Sequence, residues 1–120
     1  MSRFVVVGDA TLDVTVAPSR PVRSGGDVQA VIRLGPGGQG ANVAVRLARR
    51  GELVTLVAPV APDDGGRVLH DALAADGVDV APLPASRTAV VVALLDAAGE
   101  RSMLSDRQAI GAEHVATAPP

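Results

Sequence analysis

The sequence predicts an α/β protein: an open sheet of buried strands with a second, half-polar sheet laid over it as a lid. Three observations predict this class. Residues 4–7 and 53–60 are apolar runs of the kind found in strands buried on both faces of a sheet. Two stretches, 40–50 and 68–77, repeat small apolar residues at helical spacing between such runs. Segments near 12–16, 28–34, 88–95 and 101–105 mix polar side chains with apolar ones, as strands with one wet face do.

The first core strand, 4–7, ends at Gly8-Asp9, which puts a loop able to carry ligand at the strand's carboxyl end. Residues 12–16 alternate apolar side chains with Asp13 and Thr15, and Pro, Ser and Gly make 18–26 a loop. The strand at 28–34 shows Gln29 and Arg33 on a solvated face and leads into Gly35-Pro36-Gly37-Gly38-Gln39-Gly40-Ala41-Asn42. In the helix at 40–50, Ala41, Ala44, Val45, Leu47 and Ala48 form the apolar stripe. Arg46, Arg49 and Arg50 form a solvated face near its C-terminal end, where Gly51 can stop it, although three arginines on one helix also suit an acidic partner.

After the strand at 53–60, Pro62-Asp63-Asp64-Gly65-Gly66 supplies a loop, and Val68, Leu69, Ala72 and Leu73 carry a second helical stripe as far as Gly77. Asp63 and Asp64 read as N-terminal caps of that helix. A short strand at 78–83 and a strong one at 88–95 follow, then a hairpin turn, Asp96-Ala97-Ala98-Gly99, and the return strand at 101–105.

A chain of 120 residues with 48% hydrophobic content makes one small domain with its own core. Phe4 is the only aromatic residue, so bases cannot be stacked on side chains. All eleven basic residues are arginine and the formal charge is -2, which leaves no basic footprint for nucleic acid. The lack of lysine excludes a Walker-A phosphate loop and Schiff-base chemistry. With no cysteine there is no disulfide, thiolate nucleophile or Cys-ligated zinc, and His70 and His114 have no second ligand at useful spacing. The apolar run near the start is too short for a signal-peptide core, and nothing approaches the roughly 18 apolar residues of a membrane span. A cytoplasmic location is expected, with neither nucleic acid nor membrane as partner.

The glycine run is the most informative stretch. Four glycines lie within residues 35–40, so the backbone there can approach a small ligand closely, while Asn42, the chain's only asparagine, adds donors and an acceptor. The run also matches G-x-G-x-x-G, with Asp63 roughly where a ribose-binding acid of an NAD site would stand. Against an NAD-binding domain, the preceding strand has a polar face, and Asp13 and Asn42 are left without a task. The plainest alternative is a strand-to-helix turn without ligand, in which Asn42 caps the helix.

Gly8-Asp9-Ala10-Thr11-Leu12-Asp13, Gly37-Gly38-Gln39-Gly40-Ala41-Asn42, Ala61-Pro62-Asp63-Asp64-Gly65-Gly66, Asp76-Gly77-Val78-Asp79, Thr88 and Met103-Leu104-Ser105-Asp106-Arg107-Gln108-Ala109 resemble, in order and spacing, the amino-terminal half of ribokinase-like (PfkB) carbohydrate kinases. The resemblance implies a partial Rossmann-type sheet with a small β-sheet lid. It implies an enzyme that, when complete, moves the γ-phosphoryl group of ATP to a sugar hydroxyl with Mg²⁺. It further implies that Asp13 and Asn42 hydrogen-bond sugar hydroxyls, that Gly37, Gly38, Gln39 and Gly40 line the sugar pocket, and that Arg107 meets a substrate carboxylate if the sugar is an acid. A carboxylate accepting from vicinal hydroxyls, beside an amide that both gives and receives, suits a polyol.

Gln39 stands where relatives often carry lysine, and Gln108 and Ile110 replace the glycine and asparagine often seen after the lid. The family's second signature, Asp-Thr-x-Gly-Ala-Gly-Asp, which supplies an anion hole and the catalytic base, does not occur in this sequence. The expectation is therefore a sugar-binding half without the ATP-binding half: no catalytic residue, no bound nucleotide or Mg²⁺, and no kinase activity alone. Expected partners are a sugar or sugar acid, a second copy through the lid, or a complementary carboxyl-terminal half. A non-catalytic sugar-binding or dimerising module is the alternative, and a half-sheet of this kind should be marginally stable, oligomeric or aggregation-prone.

Overall fold

In the structure, a computed structural model that describes residues 2–107, the chain runs β1 (Arg3–Val7), β2 (Thr11–Pro18), β3 (Ala30–Gly37), α1 (Gln39–Arg49), β4 (Leu53–Pro59), α2 (Asp64–Ala75), β5 (Val78–Leu83), β6 (Val90–Leu95) and β7 (Arg101–Asp106). The strands form two sheets. One is three-stranded and parallel, in the order β1-β4-β5, and the other is four-stranded, in the order β3-β2-β6-β7. In the second sheet β2 is antiparallel to β3 and parallel to β6, and β6 is antiparallel to β7. This is the α/β class with a second sheet that the sequence predicts.

Period-two and period-3.6 burial meet in one core. Val54, Leu56 and Ala58, alternate residues of β4, pack with Ala41, Ala44 and Val45 of α1 and with Leu69 and Leu73 of α2. Both helices therefore cover the same face of the parallel sheet. That placement corrects the expectation that residues 4–7 are buried on both faces. β1 is an edge strand, and on the face away from the helices Val5, Val7 and Leu53 are 51%, 45% and 46% exposed. The apolar run identifies a strand made for two covered faces; on the face away from the helices Val57 of β4 is buried, but β1 at the sheet edge stays partly exposed.

Several boundaries also move: β2 spans Thr11–Pro18 rather than 12–16, and α2 spans Asp64–Ala75 rather than 68–77. The third strand runs from Ala30 to Gly37 rather than over 28–34, because Asp13, Leu12 and Thr11 pair with Gly35, Pro36 and Gly37. The first part of the glycine run is thus strand, and the turn narrows to Gly38. The sixth strand begins at Val90 rather than at 88, since Thr88 is drawn into side-chain bonds with Asp63 and Ala61.

Register places one end of the second sheet over the carboxyl ends of the parallel strands. Thr11 lies opposite Gly37, Leu12 opposite Val90, and Val90 opposite Asp106, so the start of β2, the end of β3, the start of β6 and the end of β7 are aligned. Gly8, just past β1, donates its N–H to the Val57 carbonyl of β4 at 3.1 Å, and Leu12 donates to the Ala89 carbonyl at 2.9 Å. Loops at the carboxyl ends of parallel strands are where open α/β sheets bind ligands.

Candidate functional site

Asp13 sits on β2 one residue beyond the Leu12–Val90 pairing, and Thr11 Oγ1 donates to its Oδ1 at 2.6 Å. Thr11 is buried, so the hydroxyl holds the carboxylate in one orientation from below. On the neighbouring strand Gly37 lies directly against that carboxylate: a Cβ there would overlap all three atoms of the carboxyl group. Glycine at 37 is a steric requirement of Asp13, not of backbone conformation.

Gly38 is the opposite case. With φ 90 and ψ 151 it is the N-cap of α1, in the left-handed half of conformational space that side chains resist, and its Cβ would lie 3.0 Å from the Asp9 carbonyl oxygen. No side chain from α1 itself caps the helix. The carboxylate of Asp9, in the loop after β1, does so from outside: Gly40 N–H donates to Asp9 Oδ1 at 3.1 Å, and Ala41 N–H donates to the Asp9 carbonyl at 3.0 Å. Arg107, one residue past β7, stands 3.8 Å from Asp9 Oδ2.

Asn42 lies in the first turn of α1, exposed, with its N–H bonded to the Gly38 carbonyl at 3.0 Å. Because Gly38 is the N-cap, Asn42 does not cap the helix, and its side chain makes no hydrogen bond among the described residues. Asp13 through Gly37 and Asn42 through Gly38 thus flank one junction, the passage from β3 into α1. Gln39 is exposed there and Gly40 is buried. Arg107 reaches the same junction through Asp9. Gln108, Ala109, Ile110 and His114 lie outside the described residues.

A second carboxylate node ties α2 to the lid. Asp63, the N-cap of α2, accepts from Gly66 N–H at 2.8 Å, Thr88 N–H at 2.9 Å and Thr88 Oγ1 at 2.6 Å. Thr88 Oγ1 in turn accepts from Ala61 N–H at 3.0 Å. The Thr88 hydroxyl, then the Thr88 and Gly66 amides, hold the Asp63 carboxyl below its ordinary value of 3.8. These bonds bear out the cap reading of Asp63. They also occupy the acid that an NAD site would need, and the strand entering the glycine run is antiparallel to β2 in the four-stranded sheet, not a parallel strand of a βαβ unit.

A separate cleft of about 700 Å³ opens beside α2 and the end of β5, with Arg67, His70, Val80 and Leu83 among its walls. It includes Asp63 but none of the residues at the β3–α1 junction. Among the described residues no group of three or more His, Cys, Asp or Glu side chains could hold a metal ion, and no helix is long and apolar enough to cross a membrane.

Asp9 and Thr11 were not singled out by sequence reasoning. Their signal was position alone: an acid directly after the glycine that ends the first strand, and a hydroxyl two residues before the acid it orients.

The family described as pfkB family carbohydrate kinase matches residues 1–118. Among solved structures, the chain is similar to a carbohydrate kinase from Agrobacterium tumefaciens, at 28% identity and TM-score 0.77, over 88% of this chain and 36% of that one. It is similar to a fructokinase from Xylella fastidiosa, at 32% identity and TM-score 0.67, over 89% of this chain and 34% of that one. A ribokinase from Cryptococcus neoformans in complex with ADP aligns at 27% identity and TM-score 0.65, over 88% and 35% of the respective chains. The chain spans about a third of the length of these relatives. No curated protein matches it significantly. With the family match extending over nearly its whole length, the chain belongs to the pfkB family of carbohydrate kinases.

Proposed function

We propose that this chain is the sugar-binding part of an ATP-dependent sugar kinase, with Asp13, Gly37, Gly38, Gln39, Gly40 and Asn42 forming the pocket for a polyhydroxylated substrate. The observation that carries the reading is the Asp13 carboxylate, fixed by Thr11 and laid against Gly37 at the entry to the helix that bears Asn42. A carboxylate held in one orientation accepts from two hydroxyls, and an exposed amide close to the same turn can both donate and accept. In this reading Arg107 is the cation that a sugar acid would address, and it stands beside the Asp9 carboxylate.

Phosphoryl transfer rests on positioning and on stabilising charge at the transferred group. The signature that the resemblance assigns to the anion hole and the base, Asp-Thr-x-Gly-Ala-Gly-Asp, does not occur in the sequence, and no step is derived through Mg²⁺–ATP. The 120-residue polypeptide alone is accordingly proposed to bind sugar without turning over ATP, and to need a complementary carboxyl-terminal half for catalysis. Calorimetry with pentoses, hexoses and sugar acids, then with NAD, and finally with ATP and Mg²⁺ tests this. Heat from a sugar but not from NAD supports it; sugar-dependent ATP turnover by the purified chain overturns the inactive-alone part.

A second reading, a dimerising module, is favoured by the outer strands of the four-stranded sheet, where Val31, Ile32, Leu34, Met103 and Leu104 are exposed. Sedimentation that shows a dimer dissociated by polar substitutions in β3 or β7 supports it; a monomer at all concentrations removes it.

A further inference from the structure

We propose that Asp9 is a positioning residue that holds the glycine turn in place and keeps Arg107 away from acidic ligands, so that the site prefers neutral sugars. The proposal rests on the sugar-site reading above. It begins from a division of labour within one carboxyl group. Oδ1 accepts the Gly40 N–H at 3.1 Å and Oδ2 faces the Arg107 guanidinium at 3.8 Å. The main chain of Asp9 joins in, its carbonyl accepting from Ala41 N–H at 3.0 Å.

The packing around Asp9 leaves the turn few other arrangements. A Cβ at Gly40 would stand 2.7 Å from the Asp9 carbonyl oxygen and 2.9 Å from its nitrogen, and one at Gly8 would stand 2.9 Å from the Gly40 Cα. The backbone of the loop after β1 and the first turn of α1 therefore run in direct contact. α1 carries no acid in its first turn and no cap of its own, so Asp9 is the carboxylate at the positive end of that helix dipole. Removing it frees an N–H that no side chain of α1 replaces.

Arg107 is 55% exposed on its side chain and Asp9 35%, so the pair is a weak tether rather than a buried bridge. A ligand carboxylate reaching for Arg107 must lie close to the Asp9 carboxylate, with like charges a few ångströms apart. A neutral hydroxyl meets no such penalty. Exchanging the acid for its amide removes the repulsion and releases the guanidinium while leaving an oxygen for Gly40.

The test uses the full 120-residue chain, ¹⁵N-labelled, as wild type, Asp9→Ala, Asp9→Asn and Asp9→Asn with Arg107→Gln. Amide hydrogen exchange is compared at Gly40 and at Val45 in mid-helix, and each protein is titrated with D-fructose, D-ribose and D-gluconate. Asp9→Ala should speed exchange at Gly40 about fivefold or more relative to Val45, whereas Asp9→Asn should not, because its oxygen still accepts. Asp9→Asn should shift the ratio of D-gluconate to D-fructose affinity about fivefold toward gluconate, and adding Arg107→Gln should reverse that shift.

Unchanged exchange at Gly40 in Asp9→Ala overturns the hold on the turn. An unchanged affinity ratio in Asp9→Asn overturns the charge argument, and if Asp9→Ala does not fold, this ratio decides the proposal. A wild-type chain that binds none of the three sugars removes the sugar reading and the preference built on it, while the exchange comparison still decides whether Asp9 holds the turn.

Discussion

The carboxyl group of Asp13 occupies the space that any side chain at residue 37 would need, so the acid on β2 and the glycine on β3 are a single steric unit. The glycine cannot gain a side chain while the acid keeps its place. Gly37→Ala is predicted to push the Asp13 carboxylate off the Thr11 hydroxyl, with a loss of about 1–3 kcal/mol of stability and of sugar binding together. Thermal melting and calorimetry of the variant check both; an unshifted melt with binding intact means that the contact has no role.

Asn42→Ala separates a ligand role from a capping role. Gly38 is the N-cap, and Asn42 sits exposed within the helix, where alanine is the better helix former by about half a kcal/mol. The predicted variant is therefore as stable as the parent, or slightly more so, and loses sugar affinity by at least about tenfold. A drop of about 1 kcal/mol in stability with unaltered binding is the opposite result.

How far the sequence spoke is best seen at these positions. Element order was legible, because period, glycine spacing and chain order are local properties, whereas the grouping of Asp13, Gly37 and Asn42 in one site was implied only by the family resemblance. The exposed face of β1 was not legible: an apolar run reports what a strand is made to bury, not which helices lie over it, and Val5, Val7 and Leu53 are bare because α1 and α2 share the other face. The role of Asp9 was not legible either. A carboxylate that caps a helix 31 residues away leaves no sequence pattern of the kind that a local cap such as Asp63 leaves three residues before Gly66.

Stability should respond to acid through Asp63. Its folded carboxyl lies below the ordinary value of 3.8 because Thr88 and Gly66 donate to the ionised form. Folding therefore favours the ionised group, whose contribution is complete above the unfolded value and fades as pH falls through the folded one. Thr88→Val removes the largest cause and is predicted to flatten the dependence of melting temperature on pH below about 4. Parallel slopes in the two proteins would show that the node has no weight.

The exposed apolar side chains at the β1 edge of the parallel sheet, Val5, Val7 and Leu53, predict self-association. Val5→Thr combined with Val7→Thr keeps β-branched side chains in β1 while making its uncovered face polar. Each change is expected to alter stability by no more than about 0.5 kcal/mol, and the pair to lower the sedimentation-derived association of the chain. A parent that is already monomeric over the whole concentration range contradicts this.

Calorimetric titration of the chain with D-fructose, D-ribose and D-gluconate, set beside the same titrations of Asp13→Asn, decides whether the Asp13 carboxylate binds sugar. The substitution preserves an oxygen for the Thr11 hydroxyl and removes the charge offered to substrate. Saturable binding of at least one sugar by the parent, weakened about tenfold or more in the variant at an unchanged melting temperature, is the predicted result. Silence from every sugar, or equal affinity in the two proteins, contradicts it.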